Sequence, residues 1–433
     1  MLRCVRCLVA EALAGADLAP FVTLHLPTSQ MPAPLPRSRT APPGAAPDLR
    51  TAVHDAGRSP SAAAAATGSN GGRGRAESSF RDPLALQPLD FPWPELPSPG
   101  SALEVAPGVF WLRMPLPFAL DHINLWLLAG EDGWTQVDSG YGDAATRALW
   151  EQHFESTLQG RPLEKLVVTH FHPDHIGNAG LLQSRFGCDV YMPLAEFLTA
   201  QAMHGQHSGY GIELTGELFA AHGMQPADVA ALAARGNSYL HGVPELPRGI
   251  RRIAARDVLT LADRLWRVLD GHGHSPEHAS LYNEELGVLI SGDMLLPRIS
   301  TNVSVWPIDA EGDPLARFLD SIEAFCELPD DTLVLPSHGL PFRGIAPRVA
   351  QLRNHHALRL AELEAAASHE VTAADVLPVL FRRPLDLQQR FFAMGEAIAH
   401  LNHLWHAGRL ERRQCPDGAL RFSRPTPNAS TLK

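Results

Sequence analysis

The chain has 433 residues, 45% of them hydrophobic, and a formal net charge of −11. That length predicts two folded units and a tail, and the acidic total lacks the basic footprint of a nucleic-acid-binding domain. No apolar run approaches the roughly 18–20 residues that span a bilayer, and five cysteines form no disulfide framework.

Residues 1–85 are rich in Ala, Pro, Arg, Ser and Gly, as in PAPLPRSRTAPPGAAP and SAAAAATGSNGGRGR. Such a segment buries too little apolar surface to offset its ordering entropy and is expected to be a disordered tail. Cys4 and Cys7 form a C-x-x-C with no second pair to close a metal site, and Glu11 and Asp17 interrupt any signal-peptide core. A reducing, cytoplasmic setting is the expectation.

Residues 86–345 read as one folded unit. GVFWLRMPL, HINLWLLAG, GWTQVDSG and EKLVVTHFH are short β-rich runs, with the amphipathic helix AATRALWEQHFEST between the last two. A helical insertion over 196–250, carrying His204, His207, His222 and His241, is expected to be a lid or substrate wall with surface histidines. DVYMP precedes it, and LWRVLDGHGH, HASLYN, GVLISGDML and DTLVLPSHG follow. Each of these last four ends at Gly, Asp, Asn or His, so chemistry-bearing residues cluster at strand ends. Residues 346–433 turn helical, with Thr372 expected to cap VTAADVLPVLF, and finish in a hairpin around an Asp-Gly turn, the order of a winged helix.

The strongest motif is THFHPDHIGN, residues 169–178. Three imidazoles and a carboxylate within six positions can face two metal ions, with His170 and His172 towards one and Asp174 and His175 towards the other. Neutral imidazole and carboxylate suit zinc, with iron or manganese as alternatives.

H-x-H-x-D-H resembles the signature of the metallo-β-lactamase superfamily, and companion motifs follow in order across about residues 100–345. Asp138 in VDSG resembles a carboxylate that orients a ligand. His274 in GHGHSPEH resembles the histidine completing the first site, Asp293 in ISGD the bridging aspartate, and His338 in PSHG the last ligand of the second. The resemblance implies an αββα sandwich of mixed α and β structure, followed by a small winged-helix-like domain. It implies two divalent ions, one held by His170, His172 and His274, the other by Asp174, His175 and His338. His278 would orient a ligand, and His272 is the local competitor of His274.

A hydroxide bridging the two ions would attack the substrate carbonyl, with Asp174 orienting it. The carboxylate at Asp293 implies the glyoxalase II, lactonase, thioesterase and phosphodiesterase branches rather than antibiotic hydrolysis. A small thioester or ester, such as a hydroxyacyl-thioester, acyl-CoA-like compound or lactone, is the first expectation. The motifs resemble those of hydroxyacylglutathione hydrolase, although no basic set for glutathione is matched. The ending resembles the β-lactamase-like-protein-2 group, which raises the alternative of a single-stranded RNA endonuclease. Arg382, Arg383, Arg409, Arg412 and Arg413 form a modest basic set at the C-terminus. His122, near Phe118 on an early loop, and Arg298, Asn302 and Trp306 after Asp293 are candidate substrate residues.

Overall fold

Aliphatic and aromatic runs broken by turn residues become the strands of two sheets. The computed structural model describes residues 83–207 and 209–425; the expected tail, apart from residues 83–85, and the Cys4/Cys7 pair lie outside the described residues. The first sheet has seven strands in sequence order: β1 Leu103–Ala106, β2 Val109–Pro115, β3 His122–Ala129, β4 Trp134–Val137, β5 Leu163–Val167, β6 Asp189–Pro193 and β7 Arg251–Ile253. β1 to β4 pair antiparallel, and β4 to β7 run parallel. The second sheet is ordered β12-β11-β10-β9-β8, from β8 Val258–Leu261, β9 Arg264–Gly271, β10 His278–Asn283, β11 Val288–Gly292 and β12 Leu333–Pro336. Its β11–β12 pair is parallel.

The sheets pack face to face. Trp111, Trp126 and Val167 of the first meet Trp266, Leu281 and Ile290 of the second in one apolar layer. Trp111 and Trp126 are cross-strand partners with ring centroids 6.1 Å apart, a pairing worth about 0.5–1.5 kcal/mol beyond area burial. Asn124 on β3 pins the sheets together at one end, its amide donating to Pro336 O (2.9 Å) and Gly339 O (2.8 Å) on either side of His338.

Helices cover both outer faces. α1 Ala144–Ser156, the one-turn α2 Pro173–Ile176 and α3 Ala179–Phe186 lie among the connections of the first sheet, with Trp150 and Leu182 in the core beneath them. α4 Leu194–Gly205, α5 Ile212–Ala221, α6 Pro226–Ala234 and α7 Tyr239–Gly242 fall between β6 and β7. α8 Pro314–Glu323, α9 Ile345–Ala366, α10 Leu377–Leu380 and α11 Leu387–His406 contribute Phe318, Val349 and Ile398 to the core behind the second sheet. The architecture is therefore αββα.

The C-terminal end closes with the antiparallel hairpin β13 Glu411–Gln414 and β14 Leu420–Ser423. α11 is started by a capping box, Asp386 accepting from the Gln389 N–H and Gln389 from that of Asp386. Thr372 departs from its expected part. Its hydroxyl and N–H bind Asp375, forming a turn, and α10 begins only at Leu377.

Candidate metal centre

Side chains at one end of the two sheets converge because the strands deliver them there. Asp138 directly follows β4, the 170–175 motif follows β5, Asp293 directly follows β11, and His338 lies just past β12. His170 and His172 follow β5 two residues apart, and their Nε2 and Nδ1 atoms come within 2.8 Å of each other. His172 (φ −61°, ψ 146°) then caps the turn that Pro173 opens, which brings Asp174 and His175 round towards a different point.

Two groups of potential ligand atoms result: His170, His172, His274 and Asp293, and beside them Asp174, His175 and His338. In the first, His170 Nε2, His172 Nδ1 and His274 Nε2 lie 2.8, 3.1 and 3.2 Å from one another. In the second, His338 Nε2 is 3.4 Å and His175 Nε2 3.9 Å from Asp174 Oδ2. Asp293 faces both groups, with Oδ2 3.4 Å from His274 Nε2 and Oδ1 3.5 Å from both His175 Nε2 and His338 Nε2.

These donors fit divalent cations. His274 Nδ1 lies 2.8 Å from the Asn302 carbonyl and His338 Nδ1 2.8 Å from that of His122. A carbonyl only accepts, so each Nδ1 carries a proton, and in the neutral form each Nε2 turns a lone pair inwards. Burial, reinforced by the neighbouring imidazoles, holds His170 and His172 well below the ordinary histidine value, in the neutral form that binds metal. Burial opposes charge at His175 as well, but the carboxylates of Asp138, Asp293 and Asp174 outweigh it and hold that imidazole well above its ordinary value. His175 Nε2 and Asp293 Oδ1 are buried and lack a hydrogen-bond partner, an arrangement that costs about 1–3 kcal/mol per group unless a ligand compensates.

The ligands are braced by Asp138 and His278, as the sequence led one to expect, and by others that carried no signal there. Asp138 takes the Thr169 N–H at 2.8 Å and His175 Nδ1 at 2.7 Å. His278 Nε2 accepts the Asp293 N–H at 3.1 Å, so it steadies the shared aspartate through its backbone. Gly292 (φ +54°) must be Gly, because a Cβ there would run into the His278 ring. Phe171, between the two leading histidines, is held from both sides by the inserted helices: Glu196 of α4 accepts its N–H (3.0 Å) and Tyr239 of α7 donates to its carbonyl (2.6 Å). Glu196 also accepts from Ser275 Oγ (2.8 Å) and Glu277 N (2.5 Å), beside His274. Burial pushes that carboxyl up to about 7 against these three donors. Nothing distinguishes Glu196 from any other helical glutamate in the sequence.

A model of the metallo-beta-lactamase superfamily matches residues 119–338, just over half of the chain and nearly every residue of the cluster's frame. The chain belongs to the metallo-beta-lactamase superfamily. A second model, of the metallo-beta-lactamase-like C-terminal domain, matches residues 360–425. A beta-lactamase domain protein from Burkholderia ambifaria is 46% identical, with a TM-score of 0.73 over 79% of this chain and 100% of that one. The probable metallo-hydrolase YqjP of Bacillus subtilis (strain 168) is 26% identical over 68% of this chain and 92% of its own length. A hydroxyacylglutathione hydrolase from Albidiferax ferrireducens is 32% identical over 83 residues, 19% of this chain and 29% of that protein.

Within this superfamily frame the other expected residues take definite places. His272 bonds to Asp270 and the Pro276 carbonyl, outside the cluster. His122 is engaged at both nitrogens, with Asp121 and the Gly339 N–H, while its carbonyl serves His338. Arg298 is exposed, its guanidinium over the Phe91 ring. Trp306 lies 6.3 Å from Phe171, 6.0 Å from Tyr210 and 6.1 Å from Phe391 by ring centroids, an aromatic row beside the ligand loop. Phe118 is exposed and packs edge-on against Tyr141. His204, His207 and His241 stay outside the cluster, and His222 departs from its expected surface position, buried with its ring stacked on Phe422.

Proposed function

We propose that this metallo-hydrolase is binuclear and cleaves a small thioester or ester. The observation that carries the two-ion reading is Asp293, which offers one oxygen to each histidine group. His170, His172 and His274 would hold one ion, Asp174, His175 and His338 the other, and Asp293 both. Zinc suits the ligand set, with iron or manganese as alternatives. When bound, such a pair supplies a water acidified towards a pKa of about 7 and a Lewis acid for the scissile carbonyl.

The chain's own residues prepare the rest. The Asn302 and His122 carbonyls and the Asp138 carboxylate fix the imidazoles, so the ligands need little rearrangement during turnover. Asp174 has 19% side-chain exposure against 10% for Asp293 and at most 5% for His175, His274 and His338. It is the more exposed of the two carboxylates, and so the one placed to orient the attacking water. Trp306 offers an apolar flank for an acyl group.

Phosphodiester cleavage in single-stranded RNA gains no support from the basic set. Arg382, Arg409, Arg412 and Arg413 are paired with Glu362, Glu364, Glu311 and Glu370, and Arg383 bonds Gln389. Among the described residues no helix is long and apolar enough to cross a membrane, and a small substrate in the cytoplasm is the setting we propose.

The deciding experiment measures thiol release by metal-loaded protein from acyl-CoA, acyl-glutathione and simpler thioesters, with a chelated control. Metal-dependent turnover of one class is expected. Silence across the panel, with turnover of a lactone or of single-stranded RNA, would overturn the thioester assignment.

A further inference from the structure

The residues from Pro297 to Trp306 form no regular secondary structure, yet they carry the carbonyl that fixes His274. Lacking a ladder of its own, this stretch takes several of its hydrogen bonds from the C-terminal helices. Arg348 of α9, buried, donates to Leu296 O (2.5 Å) and Ile299 O (2.7 Å). The Gly395 carbonyl of α11 accepts the Val305 N–H at 3.1 Å, and Glu396 Oε2 accepts from Asn302 Nδ2 at 3.2 Å. Ser304 Oγ donates to Asn302 Oδ1 at 2.7 Å, so both ends of that amide are held. The approach of helix to loop is close: a Cβ on Gly395 would stand 2.7 Å from Ser304 Oγ.

We infer that Glu396 is a positioning residue for the first metal group, holding Asn302 so that its carbonyl orients His274. The C-terminal segment thereby takes part in the metal centre without supplying a ligand. Asn302, whose place after Asp293 suggested substrate contact, spends its side chain on this tie instead. The inference rests on the binuclear reading, and it is specific to one half of the cluster. His338 takes its orientation from His122 on β3, and His175 from Asp138 after β4; neither depends on α11.

The test is zinc affinity of apo protein, read by competition with a chromophoric chelator, in two backgrounds. His338→Ala retains the His170–His172–His274–Asp293 group, and His172→Ala retains the other. In the first background Glu396→Ala is expected to weaken zinc binding about 10-fold or more, the scale seen when an outer partner of a ligand is removed. In the second, affinity is expected to be unchanged. Glu396→Gln keeps an oxygen that accepts from Asn302 and should rescue most of the loss. Asn302→Ala keeps the backbone carbonyl but loses the amide tie. It should match Glu396→Ala, and the double variant should add nothing further; these two variants carry the test if Glu396→Ala does not fold. Unchanged affinity in the His338→Ala background, or equal loss in both backgrounds, would overturn the inference. Wild-type protein that takes up fewer than two zinc ions would instead sink the binuclear reading beneath it.

Discussion

Asp138 and His175 are bound at 2.7 Å through Oδ2 and Nδ1, and the same carboxylate takes the Thr169 N–H at 2.8 Å through Oδ1. One side chain therefore anchors the start of the histidine motif and sets the tautomer of an imidazole further along it. Asp138 adopts φ +59°, a left-handed conformation that Asp tolerates better than most residues.

Asp138→Asn tests that dual role. The amide oxygen can still accept from Thr169, which turns the NH2 group towards His175 Nδ1 and favours a proton on Nε2, the wrong nitrogen for a ligand. Zinc affinity of the Asp174–His175–His338 group should fall about 10- to 100-fold with little loss of fold. A chelator competition showing wild-type affinity would disprove the tautomer argument.

His172→Ala and Asp293→Ala separate the two groups. His172 belongs to one, so its loss should leave one ion bound; Asp293 serves both, so its loss should weaken both. Turnover should fall to background in each variant. Metal content per chain, by elemental analysis beside the thioester assay, distinguishes them, and full activity in either would refute the site.

The difference between these ligands and their supports explains what was legible in the sequence. His170, His172, Asp174 and His175 sit within six positions after an apolar strand, so chemistry and local structure announce each other. His274, Asp293 and His338 each follow a strand run and arrive in a readable order. Glu196, Tyr239 and Glu396 reach the site only through tertiary packing, from helices whose local pattern is ordinary. β7 and β8 are illegible for a related reason: at three and four residues, with mostly exposed side chains, they are too short for an apolar alternation to stand out.

Glu196 gives the third prediction. Its two oxygens satisfy the Phe171 and Glu277 N–H groups and the Ser275 hydroxyl, all near the cluster. Glu196→Ala leaves three donors without an acceptor, and each costs about 1–3 kcal/mol where no water enters. Glu196→Gln still serves Ser275 and Glu277 through its oxygen and should be milder. Denaturant unfolding of the metal-free protein should rank wild type above Gln above Ala. Equal stability of all three would show that water satisfies these groups.

The fourth concerns acid and lies away from the metals. His222 is buried with its ring stacked on Phe422, and burial, helped by Arg412, pushes it down to about 4. The unfolded chain binds a proton below about 6.5 that the folded chain refuses until about 4. Stability from this residue is therefore present above pH 6.5 and is lost as pH falls through that window. Between pH 7 and pH 5 the loss is on the order of 2 kcal/mol. His222→Phe keeps an aromatic ring against Phe422 and cannot titrate, so its stability should fall less over the same interval. Denaturant titrations of chelated wild type and variant at both pH values measure that difference directly. An identical pH dependence would mean that the His222 site opens to water before the chain unfolds.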